Sequence, residues 1–214
     1  MPIITISRLY GSGGSEVAGR VAAGLGWTLL DTEIVDRVAR RMRTTPAAVQ
    51  ALDERVPSFA ERVARLLALG DLGTTGEFQV PTTGDALAPA DERQIVETER
   101  VIREAAARGP AVVVGRGAQA MLAERADAMH VFVYAPRDAL VRRVMAREPG
   151  ARGRAEAERL VDETNRQREQ YVRRHWDRAW RAHENYDLCV NTAWLGVDGA
   201  AALVVDAARR KLGA

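Results

Sequence analysis

Lysine and cysteine are nearly absent from this sequence. Lys211 is the only lysine among 31 basic residues, so the other 30 are arginines. A catalytic cation in this protein is therefore expected to be a guanidinium group. Cys189 is the only cysteine, which excludes an intramolecular disulfide and a cysteine-based metal cluster.

Long apolar runs and a strong charge imbalance are missing as well. No run approaches the roughly 18–20 apolar residues that cross a bilayer. The chain enters a strand-like run directly, with no basic region ahead of it that would indicate a signal peptide. The formal net charge of +2 is too small to favour nucleic-acid binding. We therefore expect a cytoplasmic protein without membrane or nucleic-acid partners, folded as a single domain over residues 1–214.

Apolar runs typical of strands alternate with segments of helical period. The strand-like runs are residues 2–7, 27–31, 111–115, 129–135 and 186–192. Helical spacing is found in residues 15–26, 32–42 and 196–212 among others. This alternation predicts an α/β fold with a parallel five-stranded sheet and helices on both of its faces.

One insertion, residues 44–91, interrupts the alternation and divides the core into residues 1–43 and 92–214. Its first part, 46–69, has apolar residues three or four apart and is predicted to be helical. This helix would form either a homodimer interface or a cover over the substrate site. Residues 70–91 are rich in Gly, Thr and Pro, which is typical of a mobile or functional loop.

The stretch SRLYGSGGSE, residues 7–16, has the composition of a phosphate-binding loop between a strand and a helix. Glycines at such a turn permit the dihedral angles of an amide nest, and the helix N-terminus adds partial positive charge. Against the pattern GxxxxGK[ST], Gly13 and Ser15 match, but Arg8 replaces the first glycine and Gly14 replaces the lysine. The alternative is a simple Gly-rich turn in which Ser15 caps the helix. Its place after the first strand of a parallel sheet favours binding.

The sequence resembles the cytidylate kinase-like family, a branch of the P-loop nucleoside monophosphate kinases whose loop lacks the lysine. The resemblance rests on ITISRLYGSGGSEVAGRVAAGLG, LLDTEIVDR, VVVGRGAQAML, VFVYAPRDALVRRV, TNRQREQYV and NYDLCVNT, which together span nearly the whole chain. It implies a P-loop kinase core, ATP and Mg²⁺ as cofactors, and a mobile lid.

The resemblance also assigns roles to the loop. The phosphates of ATP would be held by Gly11, Ser12, Gly13, Gly14, Ser15 and Glu16, and Mg²⁺ by Ser15 and Asp31. Arg8 is the candidate for the missing positive charge, because it begins the loop, and it is expected to be catalytic. The alternative role for Arg8 is that of a structural clamp.

Two further motifs would form the acceptor site. In LLDTEIVDR, Asp31, Thr32 and Arg37 match acceptor-site residues of cytidylate kinases, and Arg37 would contact the acceptor phosphate. Asp31 could also cap the following helix. In VVVGRG, Arg116 is kept and is expected to be both catalytic and substrate-binding, whereas Gly117 replaces an aspartate that helps those kinases recognise the nucleotide.

The lid is predicted at about residues 147–156, within a segment, 147–175, that contains eight arginines. Arg152 and Arg154 would bind the cofactor. Arg168 is the candidate for the catalytic arginine that follows the lid, and it shares a helical face with Asn165. Most of the other arginines are expected to be solvated.

Together these features predict an ATP-dependent phosphotransferase with CMP, dCMP or a similar small phosphate acceptor. Two alternatives stay open, namely a kinase for a different small molecule and a nucleotide-binding regulatory protein with little catalysis. Cys189 is predicted to lie in the core, and Trp176 and Trp180, four residues apart, to pack against the protein rather than stack on a base.

Overall fold

The structure of the protein, a computed structural model, describes residues 1–31, 100, 102–104, 107–115, 117–148 and 153–214. The predicted helix 32–42 and the insertion 44–91 lie outside these residues. So do Thr32, Arg37, Arg116 and Arg152.

Five parallel strands form one sheet, as predicted. They are β1 (Ile3–Arg8), β2 (Thr28–Asp31), β3 (Ala111–Val114), β4 (Ala128–Tyr134) and β5 (Leu188–Asn191). Their order is β2-β3-β1-β4-β5, and every neighbouring pair is parallel. The first strand is therefore central, and the loop that follows it opens at the middle of the carboxyl edge of the sheet.

Helices connect these strands in the described residues. They are α1 (Gly14–Leu25), α2 (Ala118–Met121), α3 (Arg137–Arg147), α4 (Arg154–Trp176) and α5 (Thr192–Leu212), with a 3₁₀ turn at His183–Asn185. The last helix begins four residues earlier than predicted. The Asn191 side chain caps it by accepting a hydrogen bond from the Ala193 amide, and Gly196, at φ 67°, interrupts its helical backbone.

The two faces of the sheet are both covered, because strand side chains alternate between them. Ile4 and Ile6 of β1 are buried on the face that packs against α1 and α5, and Ile3 is buried on the opposite face with Ala118 of α2. A further apolar cluster joins α3 to α4. The fold is thus the predicted α/β arrangement.

The prediction for Cys189 is wrong. Its side chain is exposed, whereas the next residue, Val190, is buried. The strand β5 forms an edge of the sheet and runs for only four residues, of which Val190 alone is fully buried. Trp180 is buried, as expected, with an edge-on contact to Phe132 at 5.6 Å between ring centroids. None of the helices in the described residues is long and apolar enough to span a membrane.

Candidate active site

The turn after β1 has the backbone conformation of an anion-binding loop. Gly11 and Gly13 have positive φ angles of 82° and 77°, which L-residues with side chains rarely adopt. A Cβ atom at Gly11 would lie 2.7 Å from the Leu140 carbonyl oxygen, so the close approach to α3 also requires glycine there.

Gly13 is the N-cap residue of α1, and it has no side chain with which to satisfy the amides of the first turn. The first N–H groups of a helix have no partner within the helix, so these amides are suited to bind an anion. Ser15 lies inside the helix, and its hydroxyl donates a hydrogen bond to Asp31. The alternative in which Ser15 caps the helix is therefore wrong.

Hydrogen bonds from the sheet, within the turn and from α5 fix this turn. The Leu9 amide donates to the Val133 carbonyl oxygen of β4 at 3.0 Å. Ser12 is buried, and its hydroxyl donates to the Leu9 carbonyl at 2.7 Å. The Thr192 hydroxyl, at the start of α5, donates to the Ser12 carbonyl oxygen at 2.7 Å. The loop is thus held in its conformation from two sides, which reduces the conformational entropy that ligand binding would cost.

The side chain of Arg8 passes the first residue of α1 and reaches the carboxyl edge of the sheet at the end of β3. A Cβ atom at Gly14 would lie 2.7 Å from Arg8 Cγ, so the stem of the arginine occupies the space next to Gly14. The guanidinium extends to Gly115 at the end of β3, where a Cβ atom would lie 3.1 Å from Arg8 Cζ. Glycine at both positions therefore accommodates Arg8, which is only 5% exposed.

Asp31, at the carboxyl end of β2, connects Arg8 to Ser15. Its Oδ1 lies 3.4 Å from Arg8 Nη2, and its Oδ2 accepts the hydrogen bond from the Ser15 hydroxyl at 2.9 Å. Both charged side chains are 5% exposed. Guanidinium, carboxylate and hydroxyl thus meet beside the loop, where Ser15 and Asp31 offer the oxygen ligands that Mg²⁺ prefers.

The helix α4 contacts the same region through two of the residues expected to share a face. Arg168 Nη1 donates to the carbonyl oxygen of Arg8 at 2.9 Å, and its guanidinium lies 5.8 Å from the centroid of the Tyr10 ring. The Asn165 side chain accepts a hydrogen bond from the Tyr10 amide at 2.8 Å. Arg168 therefore lies at the start of the loop.

Two arginines of α3 also reach the loop, although neither is among the site residues predicted from the sequence. Arg143 Nη2 donates to Glu16 Oε1 at 2.8 Å, and Arg147 pairs with the same oxygen. A Cβ atom at Gly13 would lie 2.7 Å from Arg143 Nη2. Burial would raise the pKa of Glu16, but the two arginines outweigh it and hold that pKa below its ordinary value. The spacing of four residues in RDALVRRVMAR, which places both on one helical face, was the available signal.

Arg154 makes different contacts. It lies in the first turn of α4, is 54% exposed, and pairs with Glu158 on its own helix and with Asp138 on α3. The pair with Asp138 connects α4 to α3. The proposed role of Arg154 in cofactor binding stays a prediction. Within the described ranges, no group of three or more His, Cys, Asp or Glu side chains could hold a metal ion.

Gly117 follows β3 and has a φ angle of 71°. The indole of Trp176, the last residue of α4, packs against it, so a Cβ atom here would lie 2.5 Å from Trp176 Cη2. This contact confirms that Trp176 packs against the protein, and the residue is half-buried.

Comparison with solved structures shows the same fold in several proteins. A protein of uncharacterized function from Eubacterium ventriosum aligns with a TM-score of 0.67 and 20% sequence identity, over 97% of this chain and 98% of that one. Shikimate kinase from Bacteroides thetaiotaomicron aligns with a TM-score of 0.52 and 14% identity, over 96% and 97% of the two chains. The protein TT1252 from Thermus thermophilus gives a TM-score of 0.51 and 21% identity, over 97% of each chain.

No curated protein sequence matches the chain significantly. The sequence profile of the cytidylate kinase-like family, in contrast, matches residues 3–193, which is most of the chain. The match includes the Gly-rich loop, Asp31, Gly117, α4 and Thr192, so the residues of the site described above fall within it. The chain belongs to the cytidylate kinase-like family.

Proposed function

We propose that this protein is an ATP- and Mg²⁺-dependent phosphotransferase that transfers the γ-phosphoryl group of ATP to a small phosphate acceptor, with CMP or dCMP as the first candidates. The observation that carries the proposal is the glycine-capped start of α1 beside the contact of Arg8, Asp31 and Ser15. Family membership supports the use of ATP and Mg²⁺ in general.

The amides at the start of α1 would bind the α- and β-phosphates. Gly13 provides no side-chain cap, so these N–H groups can donate to phosphate oxygens. Arg143 and Arg147 reach the same turn through Glu16. Either guanidinium could exchange its bond to Glu16 for one to a phosphate, which makes charge-assisted hydrogen bonds of similar geometry.

Ser15 and Asp31 would hold the magnesium ion. The ion, when bound, neutralises charge on the β- and γ-phosphates. The Ser15 hydroxyl would turn from the Asp31 carboxylate to the metal. Asp31 would either contact the metal directly or orient its bound water, which is common because Mg²⁺ keeps several waters.

Arg8 would stabilise the transferring phosphoryl group. Phosphoryl transfer needs alignment and positive charge more than covalent assistance. The guanidinium lies between the loop and the end of β3, on the side of the sheet where β2 and β3 end. A group at this position can contact the γ-phosphate and the acceptor together. Arg116 and Arg168 would assist, and Thr32 and Arg37 would bind the acceptor.

A second candidate function is a kinase for an acceptor other than a cytidine nucleotide. The observation that favours it is the packing of Trp176 on Gly117. The position that carries a carboxylate in the cytidylate kinases this chain resembles is here occupied by the edge of an indole ring.

The test is incubation of the protein with Mg-ATP and a panel of nucleoside monophosphates, followed by chromatographic detection of the diphosphates. Formation of CDP or dCDP supports the first function. Binding of Mg-ATP in calorimetry without turnover of any member of the panel moves the assignment to the second.

A matched pair of glycine variants controls for the loop itself. Gly13→Ala introduces a Cβ at φ 77° and 2.7 Å from Arg143 Nη2 and should weaken Mg-ATP binding at least tenfold. Gly19→Ala lies in the same helix α1 with no atom within 4 Å of the added carbon, and it should leave binding unchanged. Absence of Mg-ATP binding by the unmodified protein would refute the proposed function.

A further inference from the structure

The contact between Trp176 and Gly117 joins two distant parts of the chain. Three ring carbons of the indole lie close to the position of a Cβ atom at Gly117, with Cη2 at 2.5 Å and Cε3 at 2.9 Å. These atoms belong to a rigid ring and cannot move away independently of one another. A side chain at 117 and the observed position of the indole are therefore mutually exclusive.

The indole lies beside the charged part of the site. Gly115, two residues before Gly117, contacts the Arg8 guanidinium. The Cα atoms of residues two apart are separated by at most about 7 Å. The guanidinium and the indole therefore border positions two residues apart after β3.

The orientation of the ring is fixed from its own helix. Its centroid lies 5.6 Å from that of Tyr171 and 5.8 Å from that of His175. The helix ends directly after it at Asp177, which has a φ angle of 49° and an amide that donates to the Arg173 carbonyl. The indole is only half-buried, so part of its surface remains accessible to a ligand.

We propose that Trp176 is the residue that determines acceptor specificity, because its indole forms an apolar wall of the acceptor site at Gly117. This inference rests on the proposed phosphotransferase function and specifies the acceptor. An indole offers a π face and a single N–H donor, and it has no hydrogen-bond acceptor. The acceptor class is therefore a phosphate ester whose ring is not recognised through an amine at this wall.

The chemistry gives a quantitative expectation for nucleotides. Against the ring carbons of the indole, the exocyclic amine of cytosine and the carbonyl oxygen of uracil each lose their water without gaining a partner, which disfavours either group by about tenfold or more. The amine of cytosine thus confers no advantage over the carbonyl oxygen of uracil. We expect the dissociation constants of CMP and UMP to differ by less than about threefold in the unmodified protein.

A double variant tests the assignment. Trp176→Ala removes the overlap, and Gly117→Asp then supplies a carboxylate that can accept from an amine. Aspartate tolerates the left-handed backbone region better than most residues. We expect the double variant to bind CMP at least tenfold more tightly than UMP, as measured by calorimetry with each nucleotide. Gly117→Ala combined with Trp176→Ala is the matched control without the carboxylate, and it should keep a ratio near one.

Three results would overturn the inference: a tenfold CMP preference in the unmodified protein, no CMP preference in a folded Gly117→Asp/Trp176→Ala variant, or the same preference in the alanine control. Calorimetry with Mg-ATP on the same samples separates this inference from the proposed function. Loss of Mg-ATP binding in all proteins refutes the phosphotransferase, whereas the ratio of CMP to UMP affinity still decides the role of Trp176.

Discussion

The substitution Gly14→Lys, which restores the lysine of the pattern GxxxxGK[ST], should lower the stability of this protein. A Cβ atom at position 14 would lie 2.7 Å from Arg8 Cγ and still closer to Arg8 Cβ. Both atoms belong to the base of the arginine side chain, so rotation of its far end cannot relieve the overlap. Gly14 is not among the glycines with positive φ, so its backbone would accept a lysine and the obstacle is steric.

The expected cost follows from the crowding. Inserting carbon atoms into a packed site costs about 1–3 kcal/mol. For a chain of this size, about 2–4 °C of melting temperature corresponds to each kcal/mol. Gly14→Lys should therefore lower the melting temperature by roughly 2–12 °C. Gly19→Ala, in the open part of the same helix, should instead stabilise the protein by about 0.5–1 kcal/mol.

Removing the Arg8 side chain should remove most of the cost of a lysine at position 14. The double variant Arg8→Gly/Gly14→Lys has the complete pattern GxxxxGK[ST], and its proper reference is Arg8→Gly, because that change already disrupts the buried pair with Asp31. In this background the lysine should cost less than about 0.5 kcal/mol, which gives a coupling free energy of at least about 0.5 kcal/mol between the two positions.

Urea and thermal unfolding followed by circular dichroism measure all four members of this cycle. Steady-state kinetics on the folded variants then shows whether an ammonium at 14 can replace the guanidinium at 8. The steric explanation is refuted if Gly14→Lys melts at or above the temperature of the unmodified protein and the cycle shows no coupling.

Three other changes give separate tests. Arg8→Ala should lower kcat/KM for phosphoryl transfer by about 10²–10³, as for the loss of a preorganised donor, and unchanged kinetics would leave Arg8 as a structural clamp. Thr192→Val removes the bond to the Ser12 carbonyl and should cost about 1 kcal/mol in urea unfolding, whereas an unchanged midpoint would show that this bond does not hold the loop. Burial lowers the pKa of His130 below its ordinary value of 6.5, so the unfolded chain binds the proton first and stability should fall as the pH drops through about 6.5. His130→Gln should reduce that slope, and an equal slope in both proteins would contradict the assignment.

The sheet was predictable because each strand is a short apolar run between turn residues, and this signal is local. All five strands lie within two residues of their predicted ends. The error at Cys189 has a different origin, because alternation along a strand does not show that the strand is an edge. The early start of α5 was missed for a similar reason, since Thr192 continues a strand-like run and only the Asn191 cap marks the change.

The anion-binding loop could be predicted from the sequence, whereas most contacts of the side chains around it could not. Glycines and the strand before them indicate an anion-binding turn, and this reading needs only neighbouring residues. The direction of Arg8 depends on Gly115, over 100 residues away, and the packing of Trp176 depends on Gly117. Such contacts arise from the sheet order and the path of α4, and no local pattern encodes them.

The two hydrogen bonds by which α4 reaches the loop end on main-chain atoms, the carbonyl oxygen of Arg8 and the amide of Tyr10. Every amino acid except proline provides both atoms. Side chains at positions 8 and 10 can thus be exchanged during evolution without removing the attachment points of the helix. These two hydrogen bonds of α4 therefore persist when the side chains at positions 8 and 10 are substituted. Loop residues can change during evolution without a compensating substitution in the helix.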